Sequence, residues 1–275
     1  MRIALTQMCS GIDPKANAVA LVDAIAQAAD RGASMVFTPE MSGLLDRNRQ
    51  RASVNLKDES QDPVLSAVCD AAARNGIWVS LGSLALKSAV DERLVNRSFV
   101  VDGNGAIRAR YDKIHLFDVD LPTGESWRES AAFVPGTESV VVDTPLGRLG
   151  LSVCYDLRFP ALYSALSQAG ANVISIPAAF TVPTGKAHWH VLMRARAIEN
   201  AAWVVAAAQV GLHEDGRTTY GHSLVVDPWG EVVLDMGDEP GIGFVELETG
   251  RCEDVRAQIP VVSHRRAIPE AVVSS

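Results

Sequence analysis

Apolar positions along this chain switch between a helical period and short continuous runs. From Asp13 to Gly32, Ala18, Leu21, Val22, Ile25 and Ala28 recur at helical spacing. Asp13-Pro14 offers an N-cap and a first-turn proline, and Gly32 ends the segment. A second helix is expected between Asp62-Pro63 and Gly76, with Leu65, Val68, Cys69 and Ala72 on its inner face. An apolar run follows each helix, MVFT at 35–38 and IWVSLGSL at 77–84. Short runs between helices read as strands buried on both faces.

The pattern then repeats itself. RIALTQM at 2–8 is echoed by RLGLSVC at 148–154, and RGASMVFTPE at 31–40 by AGANVISIPA at 169–178. RNGIWVSLGS at 74–83 is echoed by ENAAWVVAAA at 199–208, and SFVVDGNGAI at 98–107 by SLVVDPWGEV at 223–232. The four matches keep one order. Each half is therefore expected to run strand–helix–strand–helix–strand and then a hairpin, turned at DGNG and DPWG. A half of this kind has helices on one face of its sheet and an apolar second face. Two such faces can bury each other, giving an α/β fold: a four-layer α-β-β-α sandwich with an internal pseudo-two-fold axis. An ordinary doubly wound sheet is the alternative, and the hairpins argue against it. No Pro/Ser linker interrupts residues 1–275, so one domain is expected.

Composition narrows the function. The chain has 275 residues, 48% of them hydrophobic, enough for a large core. A net charge of −8 argues against nucleic acid as a partner, which calls for a basic stripe. No apolar run reaches the roughly 20 residues of a membrane span. The start, MRIALTQMCSG, does not resemble a signal peptide, so a cytoplasmic location is expected. Cys9, Cys69, Cys154 and Cys252 form no CxxC pair and read as free thiols.

Three reactive groups fall just past expected strand ends, where ligand sites of α/β sheets collect. Glu40 follows MVFTP, Cys154 follows GLSV, and Lys113 lies in YDKIHLFDVD after the first hairpin. Taken singly, a solvated acid and a surface lysine are equally good readings of Glu40 and Lys113, and a small buried hydrophobe is the better reading of Cys154. Together they suit nucleophilic catalysis. A free thiol has a pKa of about 8.5, so a neighbouring carboxylate is needed to take its proton. A fixed ammonium and a backbone N–H, here Lys113 and that of Tyr155, can then stabilise an oxyanion. None of His115, His188, His190, His213, His222 and His264 stands in a metal-ligand spacing, so no metal is expected. No GxGxxG or GxxxxGK[ST] supports a nucleotide cofactor, and GLSVC lacks the final glycine of GxSxG. No cofactor is expected.

The blocks FTPEMSG, YDKIHLFDVD and LSVCYDLRFP resemble the three signature segments of the nitrilase superfamily of carbon–nitrogen hydrolases. The resemblance extends through PAAFTVPTGKAHWHVLMRARAIENAAWVVAAAQ and TYGHSLVVDPWG, nearly the whole chain. It implies the same four-layer sandwich and a catalytic set of Glu40, Lys113 and Cys154. It adds a second glutamate, Glu129 in WRESAAFVPG, while Glu125 nearby reads as a solvated loop acid. It implies an amidase working through a cysteine thioester on a small-molecule amide, and a homodimer or higher homo-oligomer. Arg158, four residues past the thiol, is a candidate for gripping a substrate carboxylate, against a structural pairing with Asp156. TYGHSLVVDPWG and PVVSHRR lean toward the deaminated glutathione amidase branch, where the leaving group is an amine, cysteinylglycine. An ω-amidase is the alternative, and a non-catalytic scaffold of the same fold is the reading from another class.

Overall fold

The computed structural model describes residues 1–120, 124 and 126–274. Glu125 lies outside them. The first half runs β1 (Arg2–Gln7), α1 (Pro14–Asp30), β2 (Met35–Phe37), the short α2 (Arg49–Ser53), α3 (Pro63–Asn75), β3 (Trp78–Lys87), β4 (Leu94–Val101) and β5 (Ile107–Asp112). A small antiparallel pair, β6 (Asp118–Asp120) and β7 (Ser126–Arg128), connects to β8 (Val141–Thr144). The second half continues β9 (Gly147–Leu151), α4 (Pro160–Gln168), β10 (Val173–Ser175), α5 (Val182–Asn200) and β11 (Trp203–Ala206). After the side pair β12 (Val210–Leu212) and β13 (Thr218–Tyr220) come β14 (Leu224–Val226), β15 (Val232–Asp235), β16 (Gly241–Glu246) and α6 (Arg251–Gln258).

The strands form two six-stranded sheets, ordered β16-β1-β2-β3-β4-β5 and β15-β14-β11-β10-β9-β8. In each, three parallel central strands are flanked by antiparallel ones. The echoed segments occupy equivalent places, β1 with β9, β2 with β10, β3 with β11 and β4 with β14. The outer strand beside β9 precedes it in the chain, whereas the one beside β1 is β16, from the far end of the chain.

The echo extends to single residues. Asp102 Oδ1 accepts the N–H groups of Asn104 and Ala106 at 2.9 and 3.0 Å. Asp227 Oδ1 accepts those of Trp229 and Glu231 at 2.9 and 2.8 Å. Both hairpins are thus turned by one aspartate. The caps of α1 and α3 are as expected, with Asp13 accepting from the Lys15 N–H and Asp62 from the Leu65 N–H. Gly76 ends α3 in the left-handed region at φ +61°, and its counterpart Ala201 ends α5 at φ +43°.

Alternation along the strands separates the layers. Ile3, Leu5, Met35 and Phe37 pack with Leu149, Leu151 and Val173 between the sheets. Ala4, Val36, Val79 and Leu81 face Leu21, Ile25, Val68 and Ala72 of α1 and α3. At mid-sandwich the Ser80 and Ser175 hydroxyls meet at 3.3 Å, one from each sheet. No described helix is long and apolar enough to cross a membrane.

A Cβ on Gly76 would enter open space, so Gly76→Ala tests backbone strain alone. It is expected to lower unfolding free energy by about 1 kcal/mol with activity unchanged. Urea denaturation measures this, and a neutral result would mean the αL cap carries no strain.

Candidate active site

Glu40 stands three residues past β2, at the carboxyl end of the sheet. The segment carrying it is held from behind by β3. The Gly82 N–H donates to Thr38 Oγ1 at 3.0 Å, and the Met41 N–H to Ser83 Oγ at 3.0 Å. Gly82 is required because a Cβ there would overlap the Thr38 and Pro39 carbonyl oxygens. The amide of Gln209 donates to the Glu40 carbonyl at 3.0 Å, tying the second half to the first.

Cys154 opens a tight turn, Cys154–Arg158, directly after β9. Its φ of +51° is unusual for a residue with a side chain, and Met41, next to Glu40, sits at +55°. Such strain persists only where the surroundings over-determine it. The Cys154 N–H donates to the Pro177 carbonyl at 2.9 Å. Asp156, wholly buried, accepts from the Val153 N–H at 2.9 Å, the Tyr111 hydroxyl at 2.6 Å and the His115 N–H at 3.0 Å. This carboxylate clamps the turn to β5 of the other half.

Lys113 follows β5 and is 2% exposed. Its ammonium lies 3.0 Å from Glu40 Oε1 and 3.0 and 2.9 Å from the two oxygens of Glu129. Glu129 begins the turn after β7 and also accepts the Phe117 N–H at 2.6 Å. The other Glu40 oxygen accepts the Ala179 N–H at 3.0 Å. Burial alone would pull the Lys113 ammonium down, but the charges of Glu129 and Glu40 outweigh it and hold its pKa well above the lysine range. Burial pushes the Cys154 thiol well up, Glu40 adds to that, and Lys113 opposes without offsetting it. Burial and the Glu40 charge both favour the neutral thiol, and the Glu40 carboxylate lies beside it.

Sequence reasoning missed Asn96 and Asp156 as parts of this site. The buried Asn96 amide donates to Glu40 at 2.9 Å and Glu129 at 3.3 Å. A lone asparagine within the apolar strand LVNRSFVV was the available signal. The alternative reading of Arg158 as a partner of Asp156 is overturned, because Asp156 is satisfied by Tyr111, His115 and Val153. Arg158 instead lines the same cavity as Cys154, its Nη1 3.2 Å from His188 Nδ1 and its guanidinium carbon 5.6 Å from the centre of the Phe180 ring. The Tyr155 N–H has no acceptor among the described residues. The cavity holds about 840 Å³, with Glu40, Lys113, Glu129, Cys154 and Tyr155 among its lining.

Among the described residues, one group that could hold a metal ion forms outside the lining of this cavity, although no sequence spacing announces it. Asp235 lies 2.9 Å from both His190 Nε2 and His222 Nδ1. All four cysteines are free thiols; Cys9 is exposed, whereas Cys154 is buried.

Residues 2–257 match the family described as carbon-nitrogen hydrolase. The chain is 42% identical over 272 residues to the deaminated glutathione amidase of Yersinia enterocolitica, covering 98% of this chain and 94% of that one. The structure resembles that of the Caenorhabditis elegans NitFhit protein, a nitrilase and fragile histidine triad fusion, with a TM-score of 0.89 and 40% identity. That likeness covers 96% of this chain and spans 65% of the fusion protein. An amidase of the nitrilase superfamily from Nesterenkonia superposes with a TM-score of 0.79 at 30% identity, over 94% of this chain and 98% of that one. That structure is a glutamate-to-glutamine variant with acrylamide added to its active-site cysteine.

Glu40→Gln removes a carboxylate beside the thiol and with it a charge that raises the thiol pKa. Amide turnover is expected to fall by about 10²- to 10⁴-fold, while Cys154 becomes alkylated at lower pH than in wild type. Labelling must be read on the Cys154 peptide by mass spectrometry, because Cys9 is exposed. An unchanged or upward-shifted labelling profile would remove Glu40 as the group controlling the thiol.

Proposed function

The chain belongs to the carbon–nitrogen hydrolase family, and on that premise we propose that it is an amidase acting through a Cys154 thioester on a peptide-like, carboxylate-bearing amide. The carrying observation is the convergence of Glu40, Lys113 and Glu129 beside a buried Cys154 in one cavity. The nitrilase-superfamily resemblance and the relatives' amidase names support it.

In this reading Glu40 takes the thiol proton as sulfur attacks the amide carbon. Charge develops on the carbonyl oxygen, where the Lys113 ammonium and the Tyr155 N–H receive it. Losing one such donor costs about 10²- to 10³-fold in rate. Glu40 then gives its proton to the nitrogen as the C–N bond breaks, and the amine departs. Water enters, Glu40 takes its proton, and the thioester C–S bond breaks to release the acid and the thiol. Glu129 positions Lys113 throughout. No step calls for a metal.

Arg158, which lines the cavity with the thiol, is assigned to the acyl-side carboxylate. Of the two substrate classes, the cavity favours the larger. Its 840 Å³ lies high in the range of roughly 300–1,000 Å³ usual for ligand pockets. A simple ω-amide would leave most of it empty, whereas a 2-oxoglutaryl amide of cysteinylglycine has a leaving half to fill it. A homodimer is part of the same reading. Val191 and Ile198, seven apart on α5, expose apolar side chains, as do Trp229, Val232 and Val233 of the neighbouring hairpin. A cytoplasmic setting also belongs to it, supported by four free thiols, one of them, Cys9, exposed.

A panel of 2-oxoglutaryl-cysteinylglycine, 2-oxoglutaramate and small nitriles, followed by product mass, tests the proposal. The peptide-like amide is expected to have the highest kcat/KM, nitriles to be inert, and Cys154→Ser to abolish turnover. Preference for 2-oxoglutaramate would favour the ω-amidase reading, and an active Cys154→Ser enzyme would sink the mechanism.

A further inference from the structure

The cavity is lined by more arginines than acyl recognition needs. Three of them are already neutralised. Arg93 is bonded to Asp91, Arg128 to both oxygens of Asp120, and Arg217 to Asp215. Arg158, Arg47 and Arg49 have no carboxylate within ion-pair distance among the described residues. Arg158 lies beside the nucleophile. Arg47 and Arg49 form a wall of the cavity from the segment that follows Glu40 in the chain.

That wall is built rather than loose. Asp215 has no exposed side-chain surface. It accepts the Arg47 backbone N–H at 2.9 Å while also holding the Arg217 Nε at 2.7 Å. This locks residues 46–47 to the turn between β12 and β13. The Arg47 guanidinium reaches across to that turn, where a Cβ on Gly216 would meet its Nη2 at 3.2 Å. Asp215 is therefore spent on Arg217 and on the backbone, and the Arg47 guanidinium makes no hydrogen bond to a described residue. Arg49 donates to the carbonyl oxygens of Ala131 and Arg128, both at 3.3 Å. An arginine fork beside a substrate cavity, held at its backbone and lacking a carboxylate, suits a carboxylate supplied by a ligand.

Direction follows from the chemistry. Glu40 must reach the leaving nitrogen to protonate it, so the departing half of the substrate extends along the Glu40 side. Resting on the amidase reading above, we propose that Arg47 is the specificity residue for the leaving group, receiving a carboxylate at the far end of the departing amine. The enzyme is then selective for amides carrying a carboxylate on both sides of the scissile bond, and the amine released is a small amino acid or dipeptide.

The test compares three substrates: 2-oxoglutaryl-cysteinylglycine, the same compound with its C-terminal carboxylate amidated, and 2-oxoglutaramate, which releases only ammonia. Wild type is expected to favour the first over the second by roughly 10- to 150-fold in kcat/KM, the worth of a charge-assisted hydrogen bond. Arg47→Ala should lose about that factor on the first substrate, mostly in KM, and less than about 3-fold on the other two. Arg47→Lys should recover only part of it, because an ammonium cannot reproduce the two-bond grip. Equal losses on all three substrates, or no preference for the free carboxylate in wild type, would overturn the assignment while leaving the amidase reading intact. Wild type cleaving none of the three would instead overturn the amidase reading, and this assignment with it.

Discussion

Everything at this site depends on one buried cation. Lys113 is almost fully enclosed and lies within 3.0 Å of two carboxylates. Two glutamates this close could not both stay charged in a dry environment without it. The ammonium likewise could not stay charged in that position without them. Removing one partner of a buried ion pair typically costs about 3–5 kcal/mol because the other charge is stranded. The cluster is therefore part of the fold as much as of the chemistry. Asn96 completes it by spanning both carboxylates from β4.

The doubled architecture explains how these groups meet. Glu40, Lys113 and Glu129 come from the first sheet and its following segment, and Cys154 from the second. Face-to-face burial of the two sheets brings their carboxyl edges together. Short polar ties then set the register. Gln209 holds Glu40 from the second half, Asp156 holds Tyr111 and His115 from the first, and the Ala179 N–H reaches Glu40 across the join. The strained backbones of Cys154 and Met41 sit on either side of that join. Such strain costs about 1–3 kcal/mol per residue, and these ties hold it in place.

Much of this was legible in the sequence because it rests on local signals. Proline-led helix starts, glycine ends and the DGNG and DPWG turns are written within a few residues of where they act. The internal echo exposed the pairing of the halves, and strand ends exposed Glu40, Lys113 and Cys154. What stayed hidden depends on distance in the chain. Asn96 and Glu40 are 56 residues apart, and Tyr111 and Asp156 are 45 apart. An asparagine within an apolar strand signals a buried polar group, but nothing local names the two carboxylates that Asn96 binds. The His190, His222 and Asp235 cluster is assembled from three elements and was invisible for the same reason. Arg158 could be placed near the thiol from spacing, but only its surroundings show that Asp156 is already satisfied by other donors.

The proposed chemistry couples thiol attack to proton transfer within this buried charge cluster and leaves the acyl group on Cys154. It is tested most directly by acid-quenching the enzyme during turnover of 2-oxoglutaryl-cysteinylglycine and measuring the mass of the Cys154 peptide. The expected result is a labile adduct equal to the acyl half of the substrate, formed on Cys154 alone, that decays as the free acid appears. Steady turnover with an unmodified Cys154 at every quench time, together with undiminished activity when the residue is replaced by alanine, would contradict it.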